Sequence, residues 1–233
     1  YIENSKSWNN IKIKKIDTYY FGNIDIDFLK TFVSKVNKNL DKLSVSFFKK
    51  NLKNFRGNYA VILKINNSFS LAFVDRIKST PIFVAKIGKK YQFSNHAPSL
   101  KKKITNINNI DSVLSVRMSG YCIGRNTLYE NLWQLLPGEA CLIKNESLKY
   151  FNYYSFIKKI KLLQDSKSRL SKKLSNITLS IIEELINRNK GRKIIVPLSG
   201  GYDSRLIISA LHHLKATNVE CYSYGKKNNF EAV

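Results

Sequence analysis

The stretch VPLSGGYDSRLIISALHHL, residues 196–214, constrains the fold more than any other part of the chain. Residues 193–198 are short, apolar and rich in β-branched side chains, which predicts a strand buried on both faces of a parallel sheet. Residues 205–214 repeat apolar side chains at three- and four-residue intervals, which predicts a helix. The joint Ser199-Gly200-Gly201-Tyr202-Asp203-Ser204 therefore lies where a strand ends and a helix begins. Unpaired backbone N–H groups and the helix dipole favour an anion there. Without a Cβ, Gly200 and Gly201 let the backbone wrap close to phosphoryl oxygens, and Ser199 and Ser204 offer hydroxyl donors. The Asp203 carboxylate would repel a bare phosphate, so its place here makes sense as a ligand of a bridging Mg²⁺. The simpler alternative is a turn in which Ser or Asp only caps the helix. The agreement of strand, S-G-G-x-D-S order and helix favours phosphate. The P-loop pattern G-x-x-x-x-G-K-[ST] is absent.

Leu198 to Ser204 reads L-S-G-G-x-D-S without a break, which resembles the PP-loop signature of the ATP pyrophosphatases, and of asparagine synthetases and related enzymes in particular. Those enzymes split ATP into AMP and pyrophosphate while activating a carboxylate. The resemblance extends to residues 219–225, which look like the second parallel strand, and to Glu231 at a helix start. It implies that Leu198 and Tyr224 flank the adenosine, while Ser199, Gly200, Gly201, Asp203 and Ser204 hold the pyrophosphate and its Mg²⁺. The implied cofactors are ATP and Mg²⁺, the metal bound by Asp203 through the pyrophosphate.

With 233 residues the chain has room for one large or two small domains, and 43% hydrophobic with 12% aromatic residues is a globular composition. No apolar run approaches the roughly 20 residues needed to cross a bilayer, and the first ten residues do not have the pattern of a signal peptide. The expected compartment is the cytoplasm. Cys122, Cys141 and Cys221 are odd in number and widely spaced, so neither a disulfide framework nor a zinc site is indicated; all three are expected as buried small apolar groups. Forty Lys and Arg against sixteen Asp and Glu give a net charge of +24, which predicts a non-specific affinity for polyanions. The lysines are scattered, however, and only Lys101-Lys102-Lys103 form a tight cluster, in what reads as a loop.

Residues 1–152 have a different texture. Strand-like runs at 11–14, 58–65, 69–74, 81–85 and 91–94 are separated by turn residues, and helical spacing marks 27–39, 46–52 and 111–117. This predicts an α+β sandwich. Leu52, Phe55, Gly57, Tyr59, Ala60, Asp75, Pro81, Ile82, Phe83, Phe93 and Ser94, with Leu135, Pro137 and Gly138 further on, resemble the architectural positions of the asparagine-synthetase glutaminase domain, an N-terminal nucleophile (Ntn) hydrolase. That chemistry needs a cysteine at position one, whose thiolate attacks and whose free amine serves as base. The sequence here begins with Tyr1. The glutamine-clamping arginine motif and the Asn-Gly oxyanion pair are also missing from residues 1–52, where Gly22-Asn23 has the composition in reversed order. The resemblance thus implies a glutaminase-like sandwich that has lost its catalyst.

Residues 149–154 read as exit strand and linker. Leu170, Leu174, Ile177, Ile181 and Leu185 then form one apolar stripe on a long helix that Asp165 or Ser166 could cap. Residues 153–233 are expected as the start of a doubly wound α/β domain of the PP-loop, adenine-nucleotide-hydrolase-like type, continuing beyond Val233 into a second pyrophosphate loop and an acceptor pocket. The leading functional expectation is an AMP-forming amide ligase acting on a small-molecule, sugar or peptide carboxylate. A transfer-RNA-modifying ATPase and a non-catalytic scaffold are the alternatives. No specific nucleic acid and no membrane partner is expected, and at most a second copy of the chain, as a homodimer.

Overall fold

The computed structural model describes residues 8–104, 107–156, 165–189 and 191–225. The chain divides into two compact units, Tyr1–Lys158 and Lys159–Val233. Unit 1 runs β1 (Asn9–Ile13), β2 (Ile16–Ile24), α1 (Ile26–Lys38), α2 (Val45–Leu52), β3 (Gly57–Asn66), β4 (Phe69–Val74), β5 (Phe83–Ile87), β6 (Lys90–Ser94), α3 (Ala97–Lys101), α4 (Ile110–Ser119), β7 (Leu132–Gln134), β8 (Glu139–Lys144) and β9 (Ser147–Asn152). It is mixed α+β, with a six-stranded sheet ordered β1-β2-β3-β4-β8-β9 and a three-stranded sheet ordered β6-β5-β7. Neighbouring strands in both pair antiparallel.

Strand alternation sorts the core into layers. Tyr59, Val61 and Leu63 of β3, with Leu71 and Phe73 of β4, face α1 and α2, where Phe32, Val33, Val36, Phe48 and Leu52 meet them. Ala60, Ile62, Ala72, Val74 and Cys141 face the other way and pack with Val84 and Phe93 of the smaller sheet. The outer face of that sheet packs Ala85 and Leu132 on Leu100 of α3. The order of layers is helix, sheet, sheet, helix. Helices begin where a side chain can satisfy a free N–H: Asp25 accepts from Phe28 N at 2.9 Å, Ser44 from Phe47 N at 3.2 Å and Asn109 from Ser112 N at 2.9 Å.

Two buried carboxylates tie the sheets to their loops. Asp75, 1% exposed, accepts from the N–H groups of Tyr59 (3.0 Å), Ile77 (2.9 Å) and Ser79 (3.0 Å), and its own carbonyl accepts from Gly138 N at 3.0 Å. Glu139, fully buried, pairs with Arg125 and accepts from Leu136 N at 2.9 Å. The Tyr153 hydroxyl donates to the carbonyl of Val74 and lies 3.3 Å from that of Tyr59. Burial pushes the Tyr59 hydroxyl up to about 12.

Several sequence expectations are corrected. β2 lies where no strand was expected. Ile16, Thr18 and Tyr20 face one side of it while Tyr19 and Phe21 face the other, so the polar alternation that betrays a strand is missing. Lys101 closes α3 instead of lying in a loop. Cys141 is buried, and burial raises its thiol pKa, but Cys122 is only half-buried and Cys221 is exposed.

Unit 2 comprises α5 (Lys167–Asn189), β10 (Ile194–Pro197), α6 (Tyr202–His213) and β11 (Val219–Tyr222). β10 and β11 pair parallel, with Val196 opposite Cys221. This two-stranded sheet is the only one formed by the described residues of the unit, so a doubly wound domain goes beyond them; Glu231 also lies outside them. Ser166 does cap α5, accepting from Arg169 N at 3.3 Å, while Asp165 pairs with Arg169 and Lys173. The face of α5 that packs is not the expected one. Leu179, Ile182 and Ile186 meet Val196, Ala210 and Leu211, while Leu174, Ile177, Ile181 and Leu185 are exposed. A second apolar stripe, one residue out of phase with the first, takes the inward side.

Gly22 illustrates how tightly β2 and β3 meet. Its φ is +92°, and a Cβ there would lie 2.2 Å from the carbonyl oxygen of Asn58. Gly22→Ala combines a left-handed backbone with a backbone clash, and is expected to lower the unfolding free energy by about 1–3 kcal/mol. Urea denaturation, with the m-value as control for two-state behaviour, measures it.

Candidate functional site

The loop between β10 and α6 is fixed at its start by β11. Leu198 N donates to the carbonyl of Tyr222 at 2.8 Å, and the Ser223 hydroxyl donates to the carbonyl of Leu198 at 2.8 Å. Beyond that point Ser199 and Ser204 lock the turn. Ser199 N donates to Ser204 Oγ at 3.2 Å, and Gly201 N donates to Ser199 Oγ at 3.3 Å. The Ser204 hydroxyl has Ser199 O, Ser199 Oγ and Gly201 O within 3.4 Å and can give its one proton to one of them. On the outside, the Arg205 guanidinium donates to the carbonyl of Gly200 at 2.6 Å.

Gly201 is the N-cap of α6, with φ −75° and ψ 158°, so it needs no left-handed freedom. Its missing Cβ matters in another way: a methyl there would approach Ser199 Oγ to 3.3 Å. No side chain caps α6, so N–H groups of its first turn are left to solvent or a ligand, with Asp203 exposed in that turn. Tyr202, at 88% exposure, lies beneath the Arg205 guanidinium, 5.9 Å from ring centroid to Cζ. The rings of Tyr222 and Tyr224 stack with centroids 6.2 Å apart and planes 28° apart.

Leu198, Ser199, Gly200, Gly201, Asp203 and Ser204 thus lie on one continuous turn. Tyr224 follows Ser223, the residue whose hydroxyl holds Leu198. Sequence reasoning passed over Arg205 and Ser223. Arg205 directly follows the signature, and that adjacency was the one available signal; nothing local marks Ser223, whose role arises from strand pairing. Among the described residues no three His, Cys, Asp or Glu side chains converge on a common metal position, so Asp203 stands as a lone carboxylate.

In unit 1 the residues read as architectural behave as such. Asp75 and Gly138 are joined by a backbone hydrogen bond, and a Cβ on Gly138 would meet the Tyr154 carbonyl at 2.8 Å. Gly22-Asn23 sits inside β2, where close approach to Asn58 accounts for the glycine. Tyr1 lies outside the described residues. A polar group sequence reasoning missed surrounds Glu139. Arg125 stacks on Tyr150 at 4.8 Å, and its protonated form is stabilised by the hydrogen bond to Glu139, while Lys78 donates to Gln134 at 2.9 Å and burial lowers its pKa.

No family model matches the chain, and no curated protein matches it. Among solved structures it is similar to the glutamine phosphoribosylpyrophosphate (PRPP) amidotransferase from B. subtilis complexed with ADP and GMP, at 11% identity and a TM-score of 0.34, covering 97% of this chain and 50% of that one. A structure described as the allosteric regulatory enzyme of purine biosynthesis gives 11% identity, a TM-score of 0.34, and coverage of 95% and 48%. The chain spans about half the length of these solved structures. At such scores the likeness assigns neither fold nor activity.

The serine lock makes a local prediction. Ser204→Ala removes the acceptor of Ser199 N, and amide hydrogen exchange at Ser199 and Gly201 is expected to accelerate by ~tenfold, as loss of about one hydrogen bond implies. Exchange in β3 of unit 1 serves as the unaffected reference.

Proposed function

We propose that the protein is an AMP- and pyrophosphate-forming amide ligase of the asparagine-synthase type, with a glutaminase-like N-terminal unit whose residues 1–52 hold neither the Asn-Gly pair nor the glutamine-clamping arginine motif. The observation that carries this reading is the β10-loop-α6 arrangement, in which L-S-G-G-x-D-S ends at an uncapped helix N-terminus beside a parallel strand. In this reading Ser199, Gly200, Gly201 and Ser204 hold the pyrophosphate of ATP, Asp203 reaches it through Mg²⁺, and Leu198 and Tyr224 flank the adenosine. The Mg²⁺ would supply charge neutralisation of the leaving group. A substrate carboxylate oxygen attacks the α-phosphorus and pyrophosphate departs; an amine then attacks the acyl carbon and AMP departs. The loop contributes positioning and donors aimed at charge that develops on the leaving group.

The acceptor is proposed to be a small-molecule, sugar or peptide carboxylate, with the reaction taking place in the cytoplasm. The net charge of +24 favours a second reading, a transfer-RNA-modifying ATPase of the same loop class. Both readings require AMP and pyrophosphate as products, and they part on whether a small carboxylate or a transfer RNA stimulates AMP release. A non-catalytic scaffold would release neither product.

Incubation of the full-length protein with labelled ATP, Mg²⁺ and acceptors is expected to yield AMP. ADP and phosphate would overturn the assignment. Asp203→Asn is expected to lower the Mg²⁺-dependent rate ~tenfold or more while leaving folding unchanged. An unchanged rate with normal metal dependence would reduce Asp203 to a helix-end residue.

Glutamine hydrolysis is expected to be absent, because residues 1–52 hold neither the Asn-Gly oxyanion pair nor the glutamine-clamping arginine motif, and an internal thiol such as Cys122 or the buried Cys141 lacks the free α-amine that serves as base. A glutamate-release assay before and after thiol alkylation tests this. Release that alkylation abolishes would restore an active glutaminase.

A further inference from the structure

We propose that a second site, in unit 1 and independent of the 198–204 loop, binds a small phosphate-bearing metabolite in the pocket lined by Lys86, Ile87, Gly88, Lys103, Ile104 and Asn131. Its volume is about 220 Å³, below the roughly 300–1,000 Å³ of pockets for drug-sized ligands. Three segments of unit 1 converge to form it: the end of β5 with its two-residue turn into β6, the turn that follows α3, and Asn131, which immediately precedes β7. The backbone fixes this convergence. Lys86 N donates to the carbonyl of Asn131 at 2.9 Å, and Asn131 and Gly88 turn their chains with φ of +57° and +59°. No atom lies within 4 Å of where a Gly88 Cβ would stand, so that side of the pocket is open. Ile87 and Ile104 form an apolar floor, packed on the cluster of Ala85, Leu100 and Leu132.

The polar groups above that floor select the ligand. Among the described residues the Lys86 ammonium and the Asn131 carboxamide make no hydrogen bond or ion pair, while the Lys103 ammonium reaches Gln92 Oε1 at 3.4 Å. None of the six lining residues is acidic. Lys101, held over the Tyr129 ring at 4.6 Å, and Lys102 extend the same positive field, which is where the one tight lysine cluster of the sequence falls. Two ammonium groups match the double charge of a phosphate monoester, and a carboxamide N–H adds directional donation. The small, floored volume favours a compact ligand over a nucleic acid strand, which needs an extended basic track with stacking side chains.

Calorimetric titration of the full-length protein with inorganic phosphate at fixed ionic strength tests the proposal, because screening then affects every variant equally. The double variant K86Q/K103Q is expected to weaken binding ~tenfold or more, and Asn131→Gly, which suits the left-handed backbone, to weaken it by a smaller factor. The double variant K49Q/K50Q, an equal charge change at exposed positions of α2, is expected to leave this affinity unchanged. Acetate should compete poorly. The proposal is overturned if K49Q/K50Q weakens phosphate as much as K86Q/K103Q does, if acetate competes as well as phosphate, or if a single-stranded oligonucleotide binds this face more tightly than phosphate and loses that affinity in K86Q/K103Q.

Discussion

Unit 1 depends on one sheet being covered on both faces. β3 and β4 can bury five consecutive or near-consecutive side chains only because α1 and α2 take one face and the three-stranded sheet takes the other. Apolar burial supplies the driving force, and pairing on both sides removes the unpaired backbone that would otherwise offset it. The aromatic side chains sit mainly on the helix side, where Phe32, Phe55 and Phe73 meet edge to face at centroid separations of 5.3–6.1 Å. The side between the sheets is lined by smaller groups, such as Ala60, Ala72 and Cys141, so the two sheets can approach.

A sandwich of this kind buries loop ends, and loop ends carry polar groups that need partners. Asp75 meets this need for the turn after β4 by accepting three N–H groups, and Glu139 meets it at the start of β8 through Arg125 and Leu136 N. Such carboxylates are costly to strip of water unless every oxygen is satisfied, and here the partners are backbone donors and a bidentate guanidinium. Asp75, one of the positions that resemble the glutaminase-domain pattern, is thus accounted for by architecture.

Unit 2 resolves the opposite problem. Its loop keeps N–H groups unsatisfied at the head of α6 while holding the rest of the turn rigid through Ser199, Ser204, Arg205 and Ser223. Rigid surroundings and unpaired donors together make an arrangement suited to charge that arrives with a ligand.

The sequence by itself determined the elements whose signals are local. The strand-turn-helix of residues 193–214, the helices α1 and α2 and the Ser166 cap were all legible, because β-branching, helical spacing and capping chemistry act within a few residues, but the expected burial of the 193–198 strand on both faces does not hold among the described residues, where Val196 is buried and Ile195 is exposed. That residues 198–201 join this strand to this helix was legible for the same reason. Only the tertiary structure decided which side of α5 packs, since the helix carries two apolar stripes and the choice between them depends on what β10 and α6 present. It also decided that residues 16–24 form a strand, because a strand covered on both faces loses the alternation that would mark it. Ser223 came to hold Leu198, and Lys86 and Lys103 to line one pocket, through pairings between segments far apart in the chain, where no local pattern exists to be read.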